Sequence, residues 1–136
     1  MIEKIFNGEE VIAIIIKNGH KLEGNSIQFI TTNDYIMQLG MMNRPKDYLV
    51  PPHVHLDTKR NTTGTQEVLF IKKGIVELSL YTSEGKFIES RIAEAGDFIL
   101  FAGGGHGIKI LEESEIIEVK NGPYDPIRDK AHFFNK

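Results

Sequence analysis

The sequence predicts an all-β protein of jelly-roll or closed-barrel type, on three observations. Short apolar runs recur along the whole chain and are separated by turn residues, the pattern of sandwiches and barrels. Hairpin-type turn signals, Asn18-Gly19 and Ser83-Glu84-Gly85-Lys86 among them, punctuate those runs. No segment keeps a long helical period, and the best helix candidate is one or two turns over Asp125 to Phe134. Strands this numerous at such short spacing favour closure, which removes exposed sheet edges. The chain has 136 residues, enough for one domain with a real core, so residues 1–136 are expected to form a single domain.

Taken in order, the apolar run Met1 to Phe6 is expected to cover a barrel edge or to pair with a second subunit. Val11 to Lys17 is rich in isoleucine and ends at the Asn18-Gly19 turn. Ile27 to Thr31 and Tyr35 to Met42 follow as strands on either side of Asn33-Asp34, and Asn43 to Asp47 is a polar turn. An extended run resumes over Tyr48 to His55, then Asp57 to Gly64 is a polar loop with almost nothing to bury. Gln66 to Lys72 and Ile75 to Thr82 are strands around Lys73-Gly74, and Phe87 to Ile92 follows the next turn. After Ala95-Gly96-Asp97 come Phe98 to Ala102, three glycines, and the strands Gly107 to Leu111 and Glu115 to Val119. Phe133-Phe134 is a second apolar end segment with the same expected role as the first.

Charge and composition narrow the partners. A net charge of −3 argues against a nucleic-acid or anionic-membrane surface, which needs a basic patch. No stretch approaches the roughly 20 apolar residues that span a bilayer, and Met1-Ile2-Glu3-Lys4 lacks the features of a signal peptide. The expected location is cytoplasmic. The absence of cysteine excludes disulfides, thiolate chemistry and zinc fingers.

Chemistry concentrates in four residues. In His53-Val54-His55 the two imidazoles sit two apart, and on a strand they project from one face about 7 Å apart. Pro51-Pro52 before them withholds two backbone donors, which suits an edge or a barrel mouth. Glu67 opens the apolar run Val68-Leu69-Phe70-Ile71, with Leu69 and Ile71 on its own face. His106 follows Gly103-Gly104-Gly105, where the chain turns without a Cβ penalty, and shares its face with Ile108 and Ile110. Each residue alone has an ordinary reading as a surface or turn side chain; the order of the four is what is specific. His20 and His132 read as surface residues. The glycine run is not a phosphate loop, because no Gly-Lys-Ser/Thr follows it.

His53-Val54-His55, Glu67 with six residues before Gly74, and Gly96-Asp97 leading to His106 together resemble the two motifs of the cupin superfamily over roughly residues 35–120. The resemblance implies a jelly-roll barrel in which His53, His55, Glu67 and His106 hold one divalent metal ion. It departs from the family pattern in the eleven residues, Leu56 to Gln66, between His55 and Glu67, read as a loop inserted at the barrel mouth. In the second motif Ala102 stands for the usual proline, the segment before His106 is shorter by one, and Ile110 stands for asparagine. Gly64 to Leu69, Gly104 to Gly107 and Glu118 to Tyr124 look like small bacterial cupins met near genes of surface-polysaccharide or nucleotide-sugar metabolism.

Nitrogen and oxygen ligands of this kind suit Fe, Mn, Ni, Co, Cu or Zn. The resemblance therefore implies a metal-dependent enzyme on a small polar molecule, such as a sugar or keto-acid derivative, of isomerase or dioxygenase type. A module that binds or senses a small ligand without turnover is the alternative. Gln38 and Glu118 are candidate substrate-binding groups, and a homodimer is the expected assembly.

Overall fold

The structure is a computed structural model that describes residues 1–133; Phe134, at the end of the expected helix and apolar tail, lies outside the described residues. Among the described residues there is no helix, and so none long and apolar enough to cross a membrane. Eight strands run in chain order: β1 Ile2–Asn7, β2 Glu10–Ile16, β3 Ile27–Phe29, β4 Gly40–Met42, β5 Glu67–Tyr81, β6 Phe87–Glu94, β7 Phe98–Phe101 and β8 Gly105–Lys120. The fold is all-β, and the chain divides into two compact units, Met1–His20 with Thr65–Lys136 and Lys21–Gly64.

The first unit is one antiparallel sheet in the order β1-β2-β7-β5-β6, with β8 added along β5. Its β1–β2 hairpin turns at Gly8, whose φ of 63° needs glycine, directly after Asn7. Asn18-Gly19, expected to make a hairpin, instead turns the chain out of β2, which pairs with β1 and β7. A register shift after Ile5 leaves Ile12 as an extra residue, and Ile12 and Ala13 both join the buried cluster.

β5 organises this unit. Its first half pairs with β7 on one side, Glu67↔Phe101 to Phe70↔Phe98, and its second half pairs with β6, Ile75↔Glu94 to Tyr81↔Phe87. β8 follows the other side along its whole length, from Glu67↔Lys120 to Tyr81↔Gly105. Two strand pairs expected from sequence are therefore single long strands. Lys73-Gly74 is a bend inside β5 rather than a turn between strands, and Glu112 to Ser114 is its counterpart inside β8. Three register shifts between Ile71 and Val76 concentrate the bending there. Gly74 has φ 93°, and a Cβ on it would collide with the Glu113 and Ser114 backbone of β8. A glycine is required at that position.

The result is a strongly curled half-barrel. A flat strand from Glu67 to Leu80 would stretch roughly 45 Å. Yet Glu67 touches His106, which pairs with Leu80 at the far end. Leu69, Ile71, Val76, Leu78 and Leu80 of β5 fill the concave side with Ile15, Ile99 and Phe101, all 3% exposed or less. At the β6–β7 corner Asp97 is fully buried and saturated: it accepts Asn18 N–H at 2.7 Å, Glu94 N–H at 2.8 Å and the Lys17 ammonium at 2.6 Å.

The second unit is sparse. β3 and β4 pair from Ile27↔Met42 to Phe29↔Gly40. Tyr35 to Leu39, expected as the start of a strand, is a compact bend, because the Gln38 side chain donates to the carbonyls of Thr32 and Tyr35. Gln38 also accepts from Thr31, whose hydroxyl in turn accepts the Leu39 N–H. Tyr48 to His55 makes no ladder; Pro51 and Pro52 remove two donors from the middle of it. Arg44 lies over the Tyr48 ring at 4.6 Å and donates to the Asn25 carbonyl at 3.0 Å.

The expected C-terminal helix is a single turn. Asp125 caps it, its carboxylate accepting from Ile127 N–H at 2.9 Å, and Asp129 N–H closes the turn on the Asp125 carbonyl. Beyond it the segment passes along the first unit without helix.

Candidate functional site

Glu67 is the first residue of β5 and faces the concave side, as the alternation with buried Leu69 and Ile71 requires. His106 is the second residue of β8 and pairs with Leu80; Ile108 and Ile110 share its face opposite Leu78 and Val76. Gly104, with φ 64°, lets the chain reverse between β7 and β8, and a Cβ there would strike the Tyr81 carbonyl. That reversal lays the His106 ring flat on Phe101, centroids 3.8 Å apart and planes 6° apart. The same stacking aims His106 Nε2 at Glu67 Oε1, 2.9 Å away. The Glu67 side chain is 13% exposed and that of His106 is 30% exposed, so the pair is sheltered at an open mouth.

Its electrostatics are asymmetric. The hydrogen bond from His106 holds the Glu67 carboxyl below the usual carboxylate range, against the opposing effect of burial. Glu118 hydrogen-bonds to Glu67 and is pushed up, by that bond first and then by burial and the Glu67 charge. Lys120 is raised through its hydrogen bond to Asp129, 3.1 Å from Asp129 Oδ2, and lies over the Tyr124 ring at 4.9 Å.

These groups open into a cleft of about 1210 Å³ within the first unit. Glu67, Phe101, His106, Ile108, Glu118 and Lys120 form the sheet side, and Asp129 to Phe133 the opposite wall. Glu118 is thus a polar cleft group. Gln38 spends its amide on its own bend in the second unit. His132, expected at the surface, is exposed and lines the cleft; His20 is half-buried near its turn.

His53 and His55 lie in the second unit on an exposed, unpaired segment rather than on a strand. They still face each other, ring centroids 5.1 Å apart in an edge-to-face arrangement. His53 Nδ1 lies 2.8 Å from the Pro51 carbonyl. That bond places the proton on Nδ1 and leaves Nε2 as a lone-pair donor. The structure therefore brings together His53 with His55 and Glu67 with His106, each pair within its own unit. Among the described residues no cluster of three or more His, Cys, Asp or Glu side chains is gathered as a metal site. The donor chemistry of both pairs nevertheless fits a divalent cation: imidazole nitrogens and a carboxylate.

Sequence reasoning missed Phe101 and the wall from Asp129 to Phe133. Phe101 was legible in principle, as the last apolar residue before a glycine reversal that ends in histidine. The wall was not, because its residues carry no periodic pattern. No family model, curated protein or solved structure matches the chain.

Proposed function

We propose that the chain is a metal-binding cupin, holding one divalent cation through Glu67 and His106 with His53 and His55 as the remaining ligands by sequence motif. The observation that carries this reading is the 2.9 Å contact between Glu67 and His106. These residues lie far apart in sequence and at opposite ends of the β5–β8 ribbon, and they are the pair the two motifs single out. The stacking of His106 on Phe101 and the position of both residues at an open cleft add to it.

A bound cation would polarise a ligand oxygen or acidify a bound water. The chain's own groups suit a small polar molecule. Glu118 and Lys120 offer a carboxyl and an ammonium to hydroxyls or carbonyls, while Phe101 and Ile108 supply apolar walls that limit water. The reading is a metal-dependent enzyme on a sugar or keto-acid derivative, of isomerase or dioxygenase type, acting as a homodimer.

Elemental analysis of protein purified without a nickel column tests it, on wild type, His53→Ala, Glu67→Gln and His106→Ala. The expected result is about one divalent ion per chain in wild type and a loss of most of it in each variant, with circular dichroism unchanged. Metal content that persists in folded His53→Ala and His106→Ala rejects the ligand set. Turnover of a bound ligand separates an enzyme from a binding module, which would retain its ligand unchanged.

A further inference from the structure

Past Tyr124 the C-terminal segment returns to the sheet at Asp129 and again at Phe133, both of which line the cleft. At one, Lys120 Nζ meets Asp129 Oδ2 at 3.1 Å. At the other, the Phe133 ring lies 5.6 Å from the Tyr81 ring and against two glycines, Gly85 and Gly105. Between these points Lys130, Ala131 and His132 cross the cleft that holds Glu67 and His106. None of the three makes a hydrogen bond among the described residues, and all three are exposed. Between its two ends the segment is exposed, and the Lys130 charge acts on Glu118.

Gly105 bears on the second contact, in which Phe133 stays 40% exposed. Its φ lies outside the left-handed region, so its backbone does not demand glycine. What a Cβ there would meet is the Phe133 ring, and the ring also sits 3.1 Å from where a Cβ on Gly85 would be. Two missing side chains and the Tyr81 ring together form a seat for one aromatic side chain. We infer that Phe133 is a latch: seated on Gly85, Gly105 and Tyr81, it holds residues 130–132 as a strap across the cleft, and its release opens the way to Glu67 and His106.

The geometry sets the direction of the effect. Removing the ring, or filling its seat, takes away the aromatic contact at one end of the strap and leaves residues 130–132 held less firmly over the cleft. The proposal concerns access to the two side chains and holds whether or not they carry a cation.

Ethoxycarbonylation of His106 by diethylpyrocarbonate, read by peptide mass spectrometry, tests it on the full chain, both as purified and after chelator treatment. Phe133→Ala and Gly105→Ala are each expected to speed His106 modification roughly tenfold over wild type in chelator-treated protein, through loss of the aromatic contact that closes the strap. Tryptic cleavage after Lys130 is expected to quicken in parallel. Thermal melting identifies a variant that has lost the fold, and the other variant then decides. Equal His106 modification rates in folded Phe133→Ala and wild type overturn the latch. Failure of the metal reading shows separately, as chelator treatment that leaves the wild-type rate unchanged.

Discussion

Asp97 shows how one buried charge fixes a corner. Three donors converge on its carboxylate, two of them backbone N–H groups. Asp97→Ala is expected to lower unfolding stability by about 3 kcal/mol in urea titration. Lys17→Met is expected to cost only about 1 kcal/mol, because Lys17 is a quarter exposed and the backbone donors remain. The sequence marked Ala95-Gly96-Asp97 as a turn and Gly96-Asp97 as part of a motif, but nothing local reveals that Asp97 points inward to Lys17 and Asn18. The ligand candidates fared differently. Glu67 and His106 were legible because strand alternation fixes their face, and their contact follows from a curl that no local pattern encodes. For His53 and His55 the spacing was right and the strand was not, since the flanking prolines that marked a boundary also abolish the ladder.

Among the elements, β2, β6 and β7 were readable almost to the residue, because each is an apolar run between turn signals. β5 and β8 were each read as two strands, since Lys73-Gly74 and Glu112 to Ser114 carry the composition of turns. The two interruptions face each other across the ribbon, so the chain bends without leaving the sheet. Gly74→Ala should therefore be costly, at least about 2 kcal/mol in equilibrium unfolding, through strain at φ 93° and collision with β8. Leu80→Ala, at the strand end beside His106 and fully buried, is expected to cost about 3 kcal/mol by the same measurement. Asn7-Gly8 makes the β1–β2 hairpin, and the same dipeptide at Asn18-Gly19 drew the attention instead. Dipeptide chemistry identifies a turn; only pairing decides which turn joins partners.

Across the whole molecule the two units differ in how much backbone is tied into ladders. In the first unit β5 is paired on both sides for most of its length, whereas the second has two three-residue strands, β3 and β4, and no strand after Met42. Native-state hydrogen exchange is expected to be slowest at Leu69 to Leu80 and fastest over residues 43–64. Uniform protection across both would refute that ordering. An all-β fold was legible from the rhythm of apolar runs, but the division into units was not, because no linker-like composition separates them. The curl of the β5–β8 ribbon has a further consequence. Glu67 and His106 are brought side by side only when the band has wrapped back upon its own origin. Anything bridging those two side chains acts as a clasp on a hoop, tightening the fold by mass action in proportion to how firmly it is held.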